Sequence, residues 1–235
     1  MARKNRFSKL IGGAVAGAAL VAGYILAVRP RLLTWGATDE EVERPLPGDD
    51  LVRDARMEST HAVTINRPAE EVWPWVVQIG HQRAGWYSYD WLHRLMGVAG
   101  SVEDASRSAE HVLPQLQNLQ VGDQVEIAPD VGYNVVALEP GRVMVLHIAA
   151  EMAGGEPPQP LDPMEEPSGD YLASSWTWFL DEIAPNKTRL IVRIRMGYSP
   201  NVATTLMIRG IIEPGSFVME RKTLLGIKRR AERGS

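Results

Sequence analysis

Residues 174–198 read SSWTWFLDEIAPNKTRLIVRIRMGY. In the second half Leu190, Val192, Ile194, Met196 and Tyr198 fall on alternate positions, and Arg189, Arg193 and Arg195 share the other parity. Successive side chains of a strand point to opposite faces, so this is a strand with a dry face and a wet one. Trp176, Trp178 and Leu180 alternate in the same way in the first half. The tetrapeptide Ala184-Pro185-Asn186-Lys187 between them has turn chemistry, because proline presets φ and asparagine tolerates the left-handed region. An antiparallel hairpin follows, and a sheet with one apolar face needs another layer to cover it.

Further strands precede the hairpin. Val125 and Ile127 alternate with polar neighbours, and Tyr133 to Leu138 and Val143 to Ala149 flank the turn sequence Glu139-Pro140-Gly141-Arg142. His61 to Ile65 reads as an earlier strand. Pro68-Ala69-Glu70-Glu71 then opens a helix whose Val72, Trp73, Val76 and Ile79 recur at helical spacing, with a kink expected at Pro74. A second helix is expected from an N-cap at Ser88 to a close at Gly97. Residues 98–120 are mixed. Residues 151–169, with five Pro and three Gly, predict a loop or lid. Beyond Pro214, residues 214–233 predict the main helix, long enough to cover the sheet's dry face. The expected fold class is α+β, with six or seven antiparallel strands curved around that helix.

The N-terminus differs in character. Leu10 to Val28 is an uncharged run of 19 residues. At about 1.5 Å per residue it matches a hydrocarbon layer roughly 30 Å thick, which predicts a transmembrane helix rather than a cleaved signal peptide. Gly13 and Gly17 leave a small-residue groove for helix–helix self-association. Four basic residues precede the run and two follow it. That pattern favours a cytoplasmic N-terminus and a domain on the outer side, although the basic cluster Lys228 to Arg230 argues for the inner leaflet. Residues 29–56, rich in proline and charge, predict a tether. The expected organisation is therefore a basic segment and membrane span over 1–28, a tether over 29–56 and one domain over 57–235.

The net charge of −4 hides an asymmetry: residues 1–31 hold six basic and no acidic groups, and the rest carries −10. So acidic a domain repels a phosphate backbone, which excludes nucleic acid as a general partner. The chain has no Cys, so thiolate chemistry and disulfides are absent. His81, His93 and His111 are scattered without a helical His-x-x-x-His pair, so no metal site is expected. No Gly-x-Ser-x-Gly, phosphate loop or dinucleotide fingerprint is present, and no cofactor is expected.

Taken in order, Pro68 to Trp75, Gly85 to Leu92, Val121-Gly122-Asp123, Leu138 to Arg142 and Phe217 to Lys222 resemble the START-like (SRPBCC, helix-grip) superfamily, close to polyketide cyclase/dehydrase-like members. The resemblance covers residues 59–233. It implies a deep apolar cavity for lipids, sterols or polyketides, in proteins of which some are enzymes and many bind or carry. It transfers no catalytic residue, because the superfamily has no universal catalytic motif.

Candidate ligand-binding residues are Trp86, Tyr87, Tyr89, His147, Trp176 and Trp178. The Gly80 to Trp91 segment either rims a cavity or fixes how two helices pack. Trp176 and Trp178 share a face and are either pocket lining or core. His147 shares its face with Val143, Val145 and Ala149; it is either an inward acid/base or a hydrogen-bonded core residue. Three functions fit: a membrane-anchored binder or carrier of a hydrophobic small molecule, a polyketide cyclase/dehydratase-like enzyme, and a non-catalytic interaction module with a filled core.

Overall fold

The computed structural model describes residues 22–98, 100–151, 159–160 and 170–233. A π-helical turn, Tyr24–Val28, leads into α1 (Arg29–Leu33), followed by α2 (Asp39–Glu43), β1 (Met57–Ile65), α3 (Ala69–Val77) and α4 (Asp90–Leu95). Then come β2 (Gln124–Ala128), β3 (Val131–Glu139), β4 (Val143–Glu151), β5 (Gln159–Pro160), β6 (Tyr171–Ala184) and β7 (Lys187–Tyr198). The chain ends with α5 (Val202–Met207), a π-helical turn (Ile208–Ile212) and α6 (Glu213–Arg233).

Six strands lie antiparallel in the order β1-β7-β6-β4-β3-β2, and the two-residue β5 pairs with the end of β4. Register shifts at Glu126/Ala128 and Val135/Ala137 mark bulges, which bend and twist the strands that carry them. The concave face holds Met144, Leu146, Trp178, Leu180, Leu190 and Val192, packed with Leu224 and Ile227 of α6. The fold is thus α+β, a curved sheet against a long C-terminal helix. The mixed residues 100–120 hold one 3-10 turn, Pro114–Leu116, and no strand, so the seventh strand of the sheet is the two-residue β5. The π-turn Ile208–Ile212 lies just before Pro214, which supplies no N–H to the helical ladder.

The arginine face of β7 is not wet. Arg193 is 2% exposed. Its guanidinium donates to Thr60 Oγ1 (3.0 Å), Asp49 Oδ2 (2.7 Å) and the carbonyls of Arg44 (2.9 Å), Glu41 (2.8 Å) and Val42 (2.8 Å). Those five bonds match the five N–H groups of the side chain. Arg189 pairs with Glu41 at 2.6 Å, and Glu41 also closes a capping box with Thr38 at the start of α2. Leu46 joins Ala62, Val143, Val145, Phe179 and Ile191 in a second apolar cluster on the convex side, with Leu51 packed against it. Residues 36–52, expected within a tether, are therefore bound as a strap across the back of the sheet.

Residues 10–21, including Gly13 and Gly17, lie outside the described residues, as does most of the expected lid at 151–169. Among the described residues no helix is long and apolar enough to cross a membrane. This corrects the expectation of a single-pass membrane protein anchored through residues 10–28 with its domain outside.

Candidate functional site

Between the concave face and α6 lies a cavity of about 360 Å³. Its walls come from the sheet, α6 and the segment through α4. The sheet supplies Met57, Ile127, Ala128, Tyr133, Trp176, Ile194 and Met196, and α6 supplies Ser216, Met219, Glu220 and Thr223. The segment through α4 supplies Trp86, His93, Met96 and Val98, and Met96, 55% exposed, reaches solvent.

The loop before α4 is pinned to the long helix. Thr223 Oγ1 donates to the Trp86 carbonyl (2.8 Å) and Ser88 Oγ donates to the Met219 carbonyl (3.0 Å). Gly226 permits this approach, because a Cβ there would stand 2.2 Å from the Tyr87 carbonyl oxygen. Ser108 Oγ accepts from the backbone N–H groups of Trp86 and Tyr87 and donates to Asp90 (2.8 Å). Ser88 therefore does not cap α4, whose N-cap is Tyr89.

These constraints order an aromatic wall. The His93 ring stacks on Trp86 (centroids 6.0 Å apart, 13° between planes), and Trp86 stacks on Trp176 (6.1 Å, 18°). Tyr133 meets Trp176 edge-on at 5.9 Å. Trp176 Nε1 donates to Glu220 Oε1 at 3.3 Å. Glu220 Oε2 lies 2.5 Å from His61 Nδ1, and His61 Nε2 donates to the Leu32 carbonyl at 2.7 Å.

Burial opposes protonation of His61, but the Glu220 hydrogen bond and charge together with the Leu32 carbonyl outweigh it, so its pKa is raised. His93 behaves oppositely. Burial lowers its pKa against a weaker pull from Asp90, and neither ring nitrogen has a partner among the described residues. Burial also raises the Tyr133 phenol. The arrangement offers a flat aromatic surface, one acceptor oxygen and one neutral imidazole.

Of the residues expected to bind ligand, Trp86 and Trp176 meet in the cavity wall. Trp178 lies behind Trp176 in the core, 0% exposed, with ring centroids 5.0 Å apart. Tyr87 is also core: its hydroxyl accepts from Gln78 Nε2 (2.8 Å) and its ring packs against Trp75 and under Arg230. Tyr89 lies beneath the Lys222 ammonium, away from the cavity lining. His147 requires correction. It shares the convex side with Val143 and Val145, so it cannot act in the cavity, and its Nε2 is buried without a partner among the described residues. Parity was right about its companions, but Val143 to His147 are all buried, so alternation alone does not say which side is inward.

Glu220, His61 and His93 escaped the sequence reading. In the helix pattern Glu220 is one charge in a polar run, and its partner stands 159 positions away. His93 looks like a favourable cation near a helix C-terminus, and no local signal marks its burial against Trp86. Among the described residues there is no cluster of side chains that could hold a metal ion.

Fold and site together define an α+β protein with an apolar, aromatic-walled cavity between a curved sheet and its C-terminal helix. No protein-family model matches the sequence, and no curated protein matches it. Among solved structures the chain is similar to protein MLL2253 from Mesorhizobium loti at 15% identity, covering 75% of this chain and 98% of that one with a TM-score of 0.38. It is also similar to the Zhui aromatase/cyclase from Streptomyces sp. R1128, at 14% identity over 75% and 94% of the two chains with a TM-score of 0.32. A conserved protein from Geobacillus kaustophilus matches at 11% identity over 75% and 96%, with a TM-score of 0.35. At such scores these likenesses carry no argument about ligand or reaction.

Proposed function

We propose that this chain binds a hydrophobic small molecule in the cavity between its sheet and α6. The observation that carries the reading is the wall: about 360 Å³ of space faced mainly by aromatic rings, methionines and branched aliphatic side chains. Protein interiors close to crystal-like density, so open apolar space of this size is maintained for an occupant. It also lies within the roughly 300–1,000 Å³ of small-molecule sites. The resemblance to START-like, helix-grip proteins points the same way, with the binding domain taken as 57–235. Native mass spectrometry of the purified chain tests the reading. A co-purifying or extract-derived adduct of low molecular mass is expected. A bare chain mass after incubation with hydrophobic cell extract overturns it.

A second reading, a cyclase/dehydratase-like enzyme, is favoured by His93. A buried neutral imidazole with two free nitrogens can take a proton at one atom of a ligand and return one at another. If so, His93→Gln should retain a bound molecule whose mass differs from that held by the wild type. Identical bound masses favour plain binding.

A further inference from the structure

The cavity's polar chemistry is set by a pair whose proton count follows from its neighbours. His61 Nε2 faces the Leu32 carbonyl at 2.7 Å, and a carbonyl only accepts, so that nitrogen carries hydrogen. One further proton is shared between His61 Nδ1 and Glu220 Oε2, 2.5 Å apart. Wherever it resides, Glu220 Oε1 has none. That oxygen accepts from Trp176 Nε1 at 3.3 Å and keeps a second lone pair, and Glu220 forms part of the cavity wall. No Lys or Arg is among the lining residues, and His93 offers an N–H without a charge.

We infer that Glu220 makes this cavity selective for uncharged ligands that donate a hydrogen bond, such as alcohols and phenols, over carboxylates and phosphates of similar apolar size. A hydroxyl satisfies the open lone pair of a desolvated oxygen. An ionised carboxylate brings only acceptors to that oxygen and finds no cation to replace its water, which is costly in a low-dielectric site. His61 is a positioning residue: held by the Leu32 carbonyl, it fixes the rotation of the carboxylate and keeps the pair neutral overall. The inference rests on the pocket reading above and adds the selectivity of that pocket.

The test uses the full chain and three two-ring probes of one shape, naphthalene, 2-naphthol and 2-naphthoate, with binding followed by tryptophan fluorescence. Naphthalene should bind, 2-naphthol about tenfold more tightly, and 2-naphthoate more weakly than naphthalene. In Glu220→Leu the naphthol preference should vanish while naphthalene still binds. Glu220→Gln, which can donate to His61 Nδ1 and keep an acceptor toward Trp176, should restore it. Equal binding of naphthalene and 2-naphthol, tighter binding of 2-naphthoate, or a preference that survives in a folded Glu220→Leu overturns the selectivity and leaves the pocket standing. No binding of any probe overturns both. The wild-type comparison decides the matter even where the leucine variant does not fold.

Discussion

Oε2 of Glu220, on the last helix, lies 2.5 Å from Nδ1 of His61, on the first strand, although the two are 159 positions apart. The contact ties both ends of the domain together at the floor of the cavity. Its stabilising effect has a pH signature. The folded pKa of His61 is raised above its unfolded value. Its contribution is therefore fully present below the unfolded pKa near 6.5 and is lost as pH rises through the folded pKa. His61→Gln should cost roughly 3 kcal/mol near pH 6, where a buried charge loses its partner, and less above neutrality. Urea unfolding of both chains from pH 5 to 9 checks this, and a pH-independent difference would contradict it.

Gly226 makes a sharper steric prediction. Glycine within a helix usually costs about 1 kcal/mol relative to alanine. At Gly226, however, a Cβ would stand 2.2 Å from the Tyr87 carbonyl oxygen, a backbone atom held by the Ser108 and Thr223 contacts around it. Gly226→Ala should therefore destabilise by roughly 1–3 kcal/mol and loosen the aromatic wall. Gly215, in the same helix with nothing within 4 Å of a built Cβ, is the control. Gly215→Ala should gain a few tenths to about 1 kcal/mol. Denaturant midpoints of the two variants should move in opposite directions.

Arg193 decides whether the strap at 36–52 stays on the sheet. It has five hydrogen bonds, four of them to the strap residues Glu41, Val42, Arg44 and Asp49. Arg193→Met removes them all and leaves the Asp49 carboxylate without its cation, an expected loss of roughly 3–5 kcal/mol. Arg193→Lys keeps the charge but has three donors for five acceptors, so it should recover only part. Hydrogen exchange should quicken over 36–52 in both variants, more than over β6 and β7. Unchanged protection of the strap would show that the apolar contacts of Leu46 and Leu51 suffice alone.

The hairpin at 174–198 was legible because both its turn and its alternation are local. The structure pairs Ala184 with Lys187 around Pro185-Asn186, and Asn186 takes a φ of 57°. The same alternation put Arg189, Arg193 and Arg195 together but could not say what covers them. A strap 143 to 153 residues earlier in the chain does so, and proline-rich sequence without periodicity carries no sign of docking. His147 failed for a related reason, since a strand buried on both faces gives parity without direction. The aromatic side of the candidate site was readable from Trp86 and Trp176, because large rings are buried on average, though Trp91 of the same segment is 61% exposed. Its polar side was not, because Glu220 meets its partner His61 159 positions away, and the stack of His93 on Trp86 leaves no mark in the helix pattern.

His93 tests whether the cavity's loose polar group is kept at a cost. Both of its nitrogens are buried without partners among the described residues, and burial holds its pKa below the unfolded value. A histidine depressed in this way contributes stability that is fully present above an unfolded pKa near 6.5 and lost as pH falls below it through the lower folded pKa. His93→Phe keeps the stack on Trp86 and removes two unsatisfied atoms, so it should raise stability by roughly 1–2 kcal/mol. Its acid-side loss of stability should be shallower, though not abolished, because burial lowers His147 in the same way. If the imidazole also serves a ligand, this stabilised variant should bind 2-naphthol less well than wild type while naphthalene binding is kept. A variant that is more stable and binds both probes as before would assign His93 to packing alone, leaving Glu220 as the group that reads the ligand.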